Sequence, residues 1–169
     1  MNDYSDDCLS LLSTEVGELL TAQSLSLVSA ESCTGGWVAK CCTDIAGSSI
    51  WFERGFVSYS NNAKQNLLDV NPETLQRFGA VSKQTVCEMA TGALLNSNAQ
   101  ISVAITGIAG PNGGSDDKPV GTVWFAWATV DSEITTLCHH FEGDREMVRR
   151  QSVHVALEGV LEKTMQNWN

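Results

Sequence analysis

The residue best suited to nucleophilic chemistry in this sequence is Ser32, which lies in the run Ala30–Gly36 ahead of a pair of glycines. A serine hydroxyl attacks a carbonyl carbon only when a base removes its proton. Histidine is poorly placed for that role, because His139 and His140 fall in a predicted strand and His154 falls in the last helix. A base of another type is therefore needed.

Lys64 can supply that base, since burial and a helix N-terminus both lower the pKa of a lysine from its usual value of about 10.4 toward neutrality. Tyr59, shortly before it, could relay the proton or hold the lysine. Plainer interpretations stay open: Ser32 as a helix cap, Lys64 as a solvated lysine, and Tyr59 as a packing residue. Cys33 is an alternative nucleophile, although no histidine partner is evident.

The turn after Ser32 also offers backbone donors. The first amides of a helix have no partner within the helix. The N–H groups of Cys33, Thr34, Gly35 and Gly36 therefore predict an oxyanion hole for a tetrahedral intermediate. The same amides are equally suited to phosphate, so the pattern leaves both ligands open.

Hydrophobic periodicity predicts alternating helices and strands. Two helices are expected over about 6–22 and 37–45. A third contains Lys64 and is capped by Ser60 or Asn61, a fourth is capped by Ser82, and the last begins at about Asp144. Strands are expected over 25–30, 55–59, 101–105, 120–130 and 134–141, the last two as an antiparallel hairpin, with a loop over 106–118. This order predicts an α/β fold, a three-layer α/β/α sandwich with a mixed, mostly parallel sheet.

Ligands of such sheets bind beyond the carboxyl ends of the strands. The first strand is predicted to end at Ser32, the second at Tyr59 with Lys64 in the next helix, and the third at Thr106 and Gly107. We expect these residues to meet at one edge of the sheet.

The composition favours one cytoplasmic domain over residues 1–169. The chain has 169 residues, 43% of them hydrophobic, and it lacks both an export signal and the roughly 20 apolar residues of a spanning helix. A formal net charge of −10 disfavours binding to nucleic acid or to a membrane surface. The six cysteines lack zinc-binding spacing and are expected to be reduced thiols.

Several long motifs, taken together, resemble the CinA C-terminal family. The resemblance extends from about Leu9 to Met165. The segments that carry it are Ala30–Gly36, Ile45–Ser49, Arg54–Asn61, Ile105–Pro111, Pro119–Val123 and Phe141–Arg145.

The resemblance implies hydrolysis of nicotinamide mononucleotide to nicotinate mononucleotide and ammonia, as in the stand-alone nicotinamide-nucleotide amidases of the family, a step that returns the nucleotide to NAD synthesis. It implies a Ser-Lys mechanism assisted by a tyrosine, with no metal or other cofactor, and the motif positions fall on Ser32, Lys64 and Tyr59. The candidate substrate-binding residues are Cys33, Thr34, Gly35, Gly36, Ser48, Thr106, Gly107 and Arg145. A ligand role would explain Arg145, because a cation near a helix start is electrostatically disfavoured.

Two other functions remain open at this point. One is a non-catalytic nucleotide-binding or interaction module of the competence-damage-inducible family, and the other is an amidase for another amide. A homodimer is also expected, because the chain has more large apolar side chains than a small monomer needs, namely Trp51, Phe52, Trp124 and Trp127.

Overall fold

A five-stranded mixed sheet forms the centre of the molecule in the computed structural model, which describes residues 4–168. The strand order is β2-β1-β3-β4-β5. β1 pairs in parallel with β2 and β3, whereas β4 runs antiparallel to both β3 and β5. Every strand except β4 therefore runs in one direction. The strands are β1 Leu27–Glu31, β2 Phe52–Val57, β3 Ile101–Gly107, β4 Thr122–Thr129 and β5 Ser132–His140.

Helices cover both faces of this sheet, which confirms the predicted three-layer α/β/α fold. One apolar cluster joins α1, α2 and α6 to the sheet, and a second joins α3, α4 and α5 to the opposite face. A short 3₁₀ helix, Ser48–Ile50, precedes β2. The helices are α1 Asp6–Ala22, α2 Trp37–Thr43, α3 Asn61–Leu68, α4 Pro72–Phe78, α5 Lys83–Leu95 and α6 Arg145–Trp168.

Side chains alternate between the two clusters along each central strand, as the period of a β-strand requires. In β4, Phe125 and Trp127 pack toward α6, whereas Ala126 and Ala128 pack toward α5. The small residues leave room for α5 to lie close to the sheet. Both faces of the central strands are therefore buried, which explains the continuous apolar runs in the sequence.

The predicted caps agree with the structure at two helices. Ser60 accepts a hydrogen bond from the Ala63 amide at the start of α3, and Ser82 accepts one from the Thr85 amide at the start of α5. Ser32 does not cap α2, because Gly36 occupies the N-cap position there with a left-handed φ of 96°. The capping interpretation of Ser32 is therefore wrong.

Several elements differ from the prediction, and β2 begins at Phe52 rather than at Gly55. β2 ends at Val57, so Tyr59 lies in the connection to α3 and not in the strand. β3 continues through Thr106 and Gly107, because both residues still pair with β4. Helix α4 was not expected, although Asn71 caps it and Pro72 occupies its first turn, a common helix start.

The described residues contain no helix that is both long and apolar enough to cross a membrane. Cys33, Cys41, Cys42, Cys87 and Cys138 are free thiols, as predicted. The first three residues, on which part of the export argument depends, lie outside the described range.

Candidate active site

Three strand ends converge at the carboxyl edge of the sheet. The Ser32 amide donates to the Ile105 carbonyl of β3 at 3.0 Å, and the Ser58 amide donates to the Glu31 carbonyl of β1 at 2.8 Å. These bonds extend the sheet pairing past the end of β1. They hold the residues after β1 and β2 beside the end of β3. Lys64, in α3, reaches the same place.

Lys64 and Ser32 are in direct contact. The Lys64 Nζ donates to Ser32 Oγ at 2.9 Å and to the Ser58 carbonyl at 2.9 Å. Lys64 is only 1% exposed and Ser32 only 8%. Burial lowers the pKa of Lys64 below the usual lysine range, and the neighbouring Cys33 has a smaller, opposing effect. A lysine so placed is poised to lose its proton and then to accept one from the serine hydroxyl.

Glu31 fixes the turn that carries Ser32, a role that the sequence analysis missed. Its buried carboxylate accepts hydrogen bonds from two hydroxyls and three backbone amides. The donors are Ser29 Oγ at 3.3 Å, Thr34 Oγ1 at 2.7 Å, Gly36 N at 3.1 Å, Val38 N at 3.1 Å and Ala39 N at 2.9 Å. The carboxylate therefore occupies the N-terminus of α2, where negative charge is favoured.

Fewer amides are available for the expected oxyanion hole than the four predicted from the sequence. Gly36 N–H is taken by Glu31, and Gly35 N–H donates to the Ser32 carbonyl at 3.0 Å. Cys33 and Thr34 are both buried, and their amides have no hydrogen-bond acceptor on another residue among residues 4–168. A buried amide without a partner costs on the order of 1–3 kcal/mol, so these two N–H groups are the candidate donors to a substrate oxygen.

Tyr59 and Arg145 contact each other at the rim of this edge. The Arg145 guanidinium donates to Tyr59 Oη at 2.8 Å and to the Gly110 carbonyl at 2.8 Å. Tyr59 is 59% exposed, and its hydroxyl bonds to Arg145, whereas the backbone carbonyl of Ser58 holds Lys64. The predicted lysine-holding role of Tyr59 is therefore filled by the backbone.

Two other predicted ligands, Thr106 and Gly107, lie at the end of β3. Thr106 is buried beside the site, and its hydroxyl donates to the Ala80 carbonyl at 2.8 Å. Gly107 packs so closely against β4 that an added Cβ would lie 2.7 Å from Val123. Both residues therefore shape the end of β3.

Ser48 does not join these residues. It precedes β2, and the nearby Trp51 carbonyl accepts from the Leu27 amide at the start of β1. That contact lies at the amino edge of the parallel strands. With about 3.3 Å per residue along β1, the two edges are roughly 16 Å apart.

Two adjoining clefts of about 460 and 560 Å³ open beside the Ser32 turn. Trp37 and Arg149 line both, Gly35 and Gly36 line the first, and Arg145 lines the second. Within residues 4–168 no three His, Cys, Asp or Glu side chains are grouped so as to hold a metal ion. Both clefts lie between the turn and α6, and neither is lined by Ser32 or Lys64.

Cys33 is a poor nucleophile in this setting. Burial, reinforced by the charge of Glu31, raises the pKa of its thiol to about 12, so the thiolate is scarce at neutral pH. We expect iodoacetamide at pH 8 to alkylate the exposed Cys138 while Cys33 and catalytic activity are preserved. Peptide mapping with a parallel activity assay checks this, and activity lost in step with Cys33 alkylation would contradict it.

Known proteins resemble this chain over nearly its whole length. The family model described as CinA C-terminal domain matches residues 10–164. The chain is 55% identical over 163 residues to nicotinamide-nucleotide amidohydrolase PncC of Escherichia coli strain K12, covering 96% of this chain and 99% of that protein. The Pseudomonas putida protein of the same name is 46% identical over 156 residues, covering 92% and 97%.

Solved structures agree with these sequence matches. The crystal structure of a CinA superfamily protein from Klebsiella pneumoniae 700603 superimposes with a TM-score of 0.90 at 42% identity, covering 94% of this chain and 98% of that one. Both the sequence and the fold therefore lead to one conclusion: this chain belongs to the CinA C-terminal domain family.

Proposed function

We propose that this protein hydrolyses the carboxamide of nicotinamide mononucleotide, with Ser32 as the nucleophile and Lys64 as the general base. The observation that carries the proposal is the 2.9 Å contact between Lys64 Nζ and Ser32 Oγ in a buried setting. The choice of substrate is supported by relatives named nicotinamide-nucleotide amidohydrolase. The products would be nicotinate mononucleotide and ammonia.

The first half-reaction forms an ester between Ser32 and the substrate. Neutral Lys64 accepts the hydroxyl proton as Ser32 Oγ attacks the carboxamide carbon, and the carbonyl oxygen becomes an oxyanion. The amides of Cys33 and Thr34 would stabilise that charge. The lysine then returns its proton to the carboxamide nitrogen, the C–N bond breaks, and ammonia leaves.

The second half-reaction hydrolyses the ester between Ser32 and the substrate. Lys64 takes a proton from a water molecule, the resulting hydroxide attacks the ester carbon, and the bond to Ser32 Oγ breaks as the serine regains its proton. Each step uses only a side-chain base and backbone donors.

The substrate phosphate needs local positive charge, since the chain has a net charge of −10. Arg145 is our candidate, because its guanidinium lies at the rim of the site and lines the larger cleft. Tyr59 would then act through Arg145, by orienting the guanidinium.

The setting of the activity is proposed as well. We propose that the activity returns the nucleotide to NAD synthesis in the cytoplasm. We also propose that residues 1–169 form one domain. A homodimer remains a prediction.

A substrate panel tests the proposed function. Purified protein is incubated with nicotinamide mononucleotide, free nicotinamide or glutamine, and both ammonia and the acid product are measured. We expect equal amounts of ammonia and nicotinate mononucleotide from the mononucleotide, and far slower release from the other two. Faster release from glutamine or nicotinamide would indicate another amidase, and stoichiometric binding without ammonia would indicate a non-catalytic module.

A further inference from the structure

The guanidinium of Arg149, in the last helix, binds two carbonyls of the turn that follows Ser32. Arg149 lies in α6, and its Nε donates to the Cys33 carbonyl at 3.0 Å while its Nη2 donates to the Thr34 carbonyl at 3.0 Å. Its position is steadied by Trp37, whose ring centroid lies 5.2 Å from the guanidinium carbon. The turn is thus held by Glu31 on one side and by Arg149 on the other.

These contacts determine the orientation of one peptide group. The Cys33 carbonyl and the Thr34 N–H belong to the same planar trans peptide, in which C=O and N–H point in opposite directions. Tying the carbonyl to Arg149 therefore directs the Thr34 N–H away from α6. That N–H is one of the two buried amides without an acceptor on another residue in the described part of the chain.

We propose that Arg149 is a positioning residue, which holds the Cys33–Thr34 peptide so that the Thr34 N–H faces the developing oxyanion during attack by Ser32. The inference rests on the proposed function of the Ser32 site. A planar guanidinium can reach two neighbouring carbonyls in one fixed geometry, whereas a lysine ammonium is a single flexible point charge. Without Arg149, the Cys33 carbonyl loses this partner, and the Thr34 N–H is held less precisely toward the reacting oxygen.

The competing explanation is that Arg149 binds the substrate phosphate, since it also lines both clefts. The two roles affect different kinetic constants. An oxyanion donor acts mainly in the transition state and lowers kcat when it is lost, whereas a phosphate ligand also acts in the ground state and raises KM.

The test compares Arg149→Ala and Arg149→Lys with Arg150→Ala as a matched control. Arg150 is the next residue of α6, and its guanidinium also lies over the Trp37 ring, 4.9 Å from the centroid. Its hydrogen bonds go to the Tyr4 carbonyl, Asp6 and Glu146 rather than to the turn, so this control removes a contact with the ring but no bond to the turn. For both Arg149 variants we expect kcat with nicotinamide mononucleotide to fall about 100- to 1,000-fold, the range for loss of one oxyanion donor, with KM within about threefold. Added guanidinium ion should partly restore Arg149→Ala, and Arg150→Ala should stay within about threefold of wild type. A raised KM with unchanged kcat would overturn the inference.

A second measurement keeps this inference separate from the choice of substrate. The rate at which a fluorophosphonate labels Ser32, followed by intact mass, depends on the nucleophile and the oxyanion hole but not on the nucleotide. We expect slower labelling in both Arg149 variants and a wild-type rate in Arg150→Ala. If the wild type releases no ammonia but this pattern holds, the proposed substrate fails and the inference stands. Equal labelling rates in wild type and the Arg149 variants, or no labelling of the wild type, would overturn it.

Discussion

Replacing Ser32 with alanine is expected to lower kcat for ammonia release from nicotinamide mononucleotide by at least about 1,000-fold. The variant has no oxygen to form the ester, so only the positioned donors remain to assist direct attack by water. The fold should be preserved, because within residues 4–168 the Ser32 hydroxyl accepts a hydrogen bond only from Lys64. Steady-state ammonia assays at saturating substrate measure the loss.

The control for this substitution is Ser13→Ala. Ser13 is also buried, but its hydroxyl donates to the Leu9 carbonyl within α1, away from the site. We expect Ser13→Ala to retain wild-type kcat, and Ser32→Ala to retain wild-type circular dichroism and to bind the mononucleotide. If Ser32→Ala kept more than a tenth of wild-type kcat, Ser32 would not be the nucleophile.

Replacing Lys64 with methionine is expected to lower kcat roughly 1,000-fold, within the range for loss of a general base. Methionine fills similar space without an amine, so Ser32 remains in place but keeps its proton. The matched control is Lys83→Met, since Lys83 is exposed at the start of α5. Unchanged kcat in Lys64→Met would contradict the assignment.

The pH dependence gives Lys64 an independent test. Because burial lowers its pKa in the folded protein, wild-type kcat/KM should rise with pH through that lowered value. Between the lowered pKa and the usual value of about 10.4, Lys64 binds more protons in the unfolded chain than in the folded one, so its own contribution to stability rises with pH across this window. Burial raises the pKa of the thiols of Cys33, Cys41 and Cys42, and these groups contribute a fall in stability at the alkaline end of the window. Denaturant unfolding of wild type and Lys64→Met at several pH values checks this, since the thiols are common to both proteins. The difference in unfolding free energy, wild type minus Lys64→Met, should increase with pH, and a constant difference would contradict the lowered pKa.

The sequence predicted which residues meet at the site better than it predicted the contacts that fix them there. Strand and helix periodicity was sufficient to bring Ser32 and Lys64 to one edge, because parallel strands end on the same side of a sheet. The structure differs at Tyr59, since β2 stops two residues earlier and the backbone carbonyl of Ser58, not the phenol, meets the lysine. Ser48 lies apart from Ser32 and Lys64 for a related reason: it precedes its strand rather than following it.

Glu31 and Arg149 were missed because their roles depend on tertiary contacts. Glu31 was visible as an acid at the end of an apolar run, just before a helix start, and that position is itself a signal of a carboxylate on helix amides. Arg149 follows Arg145 by one helical turn, so both lie on the same face of α6. Nothing in local periodicity, however, indicates that this face meets the turn after β1.

Interception with hydroxylamine is the most direct test of a covalent reaction at Ser32. If turnover passes through an ester, hydroxylamine competes with water, attacks the ester carbon and releases Ser32 as the hydroxamate of the mononucleotide forms. We predict that the hydroxamate share of the product rises with hydroxylamine concentration while ammonia is still released. Ser32→Ala should yield neither the hydroxamate nor ammonia. Wild-type turnover that produces only nicotinate mononucleotide at every hydroxylamine concentration would contradict the two-step mechanism.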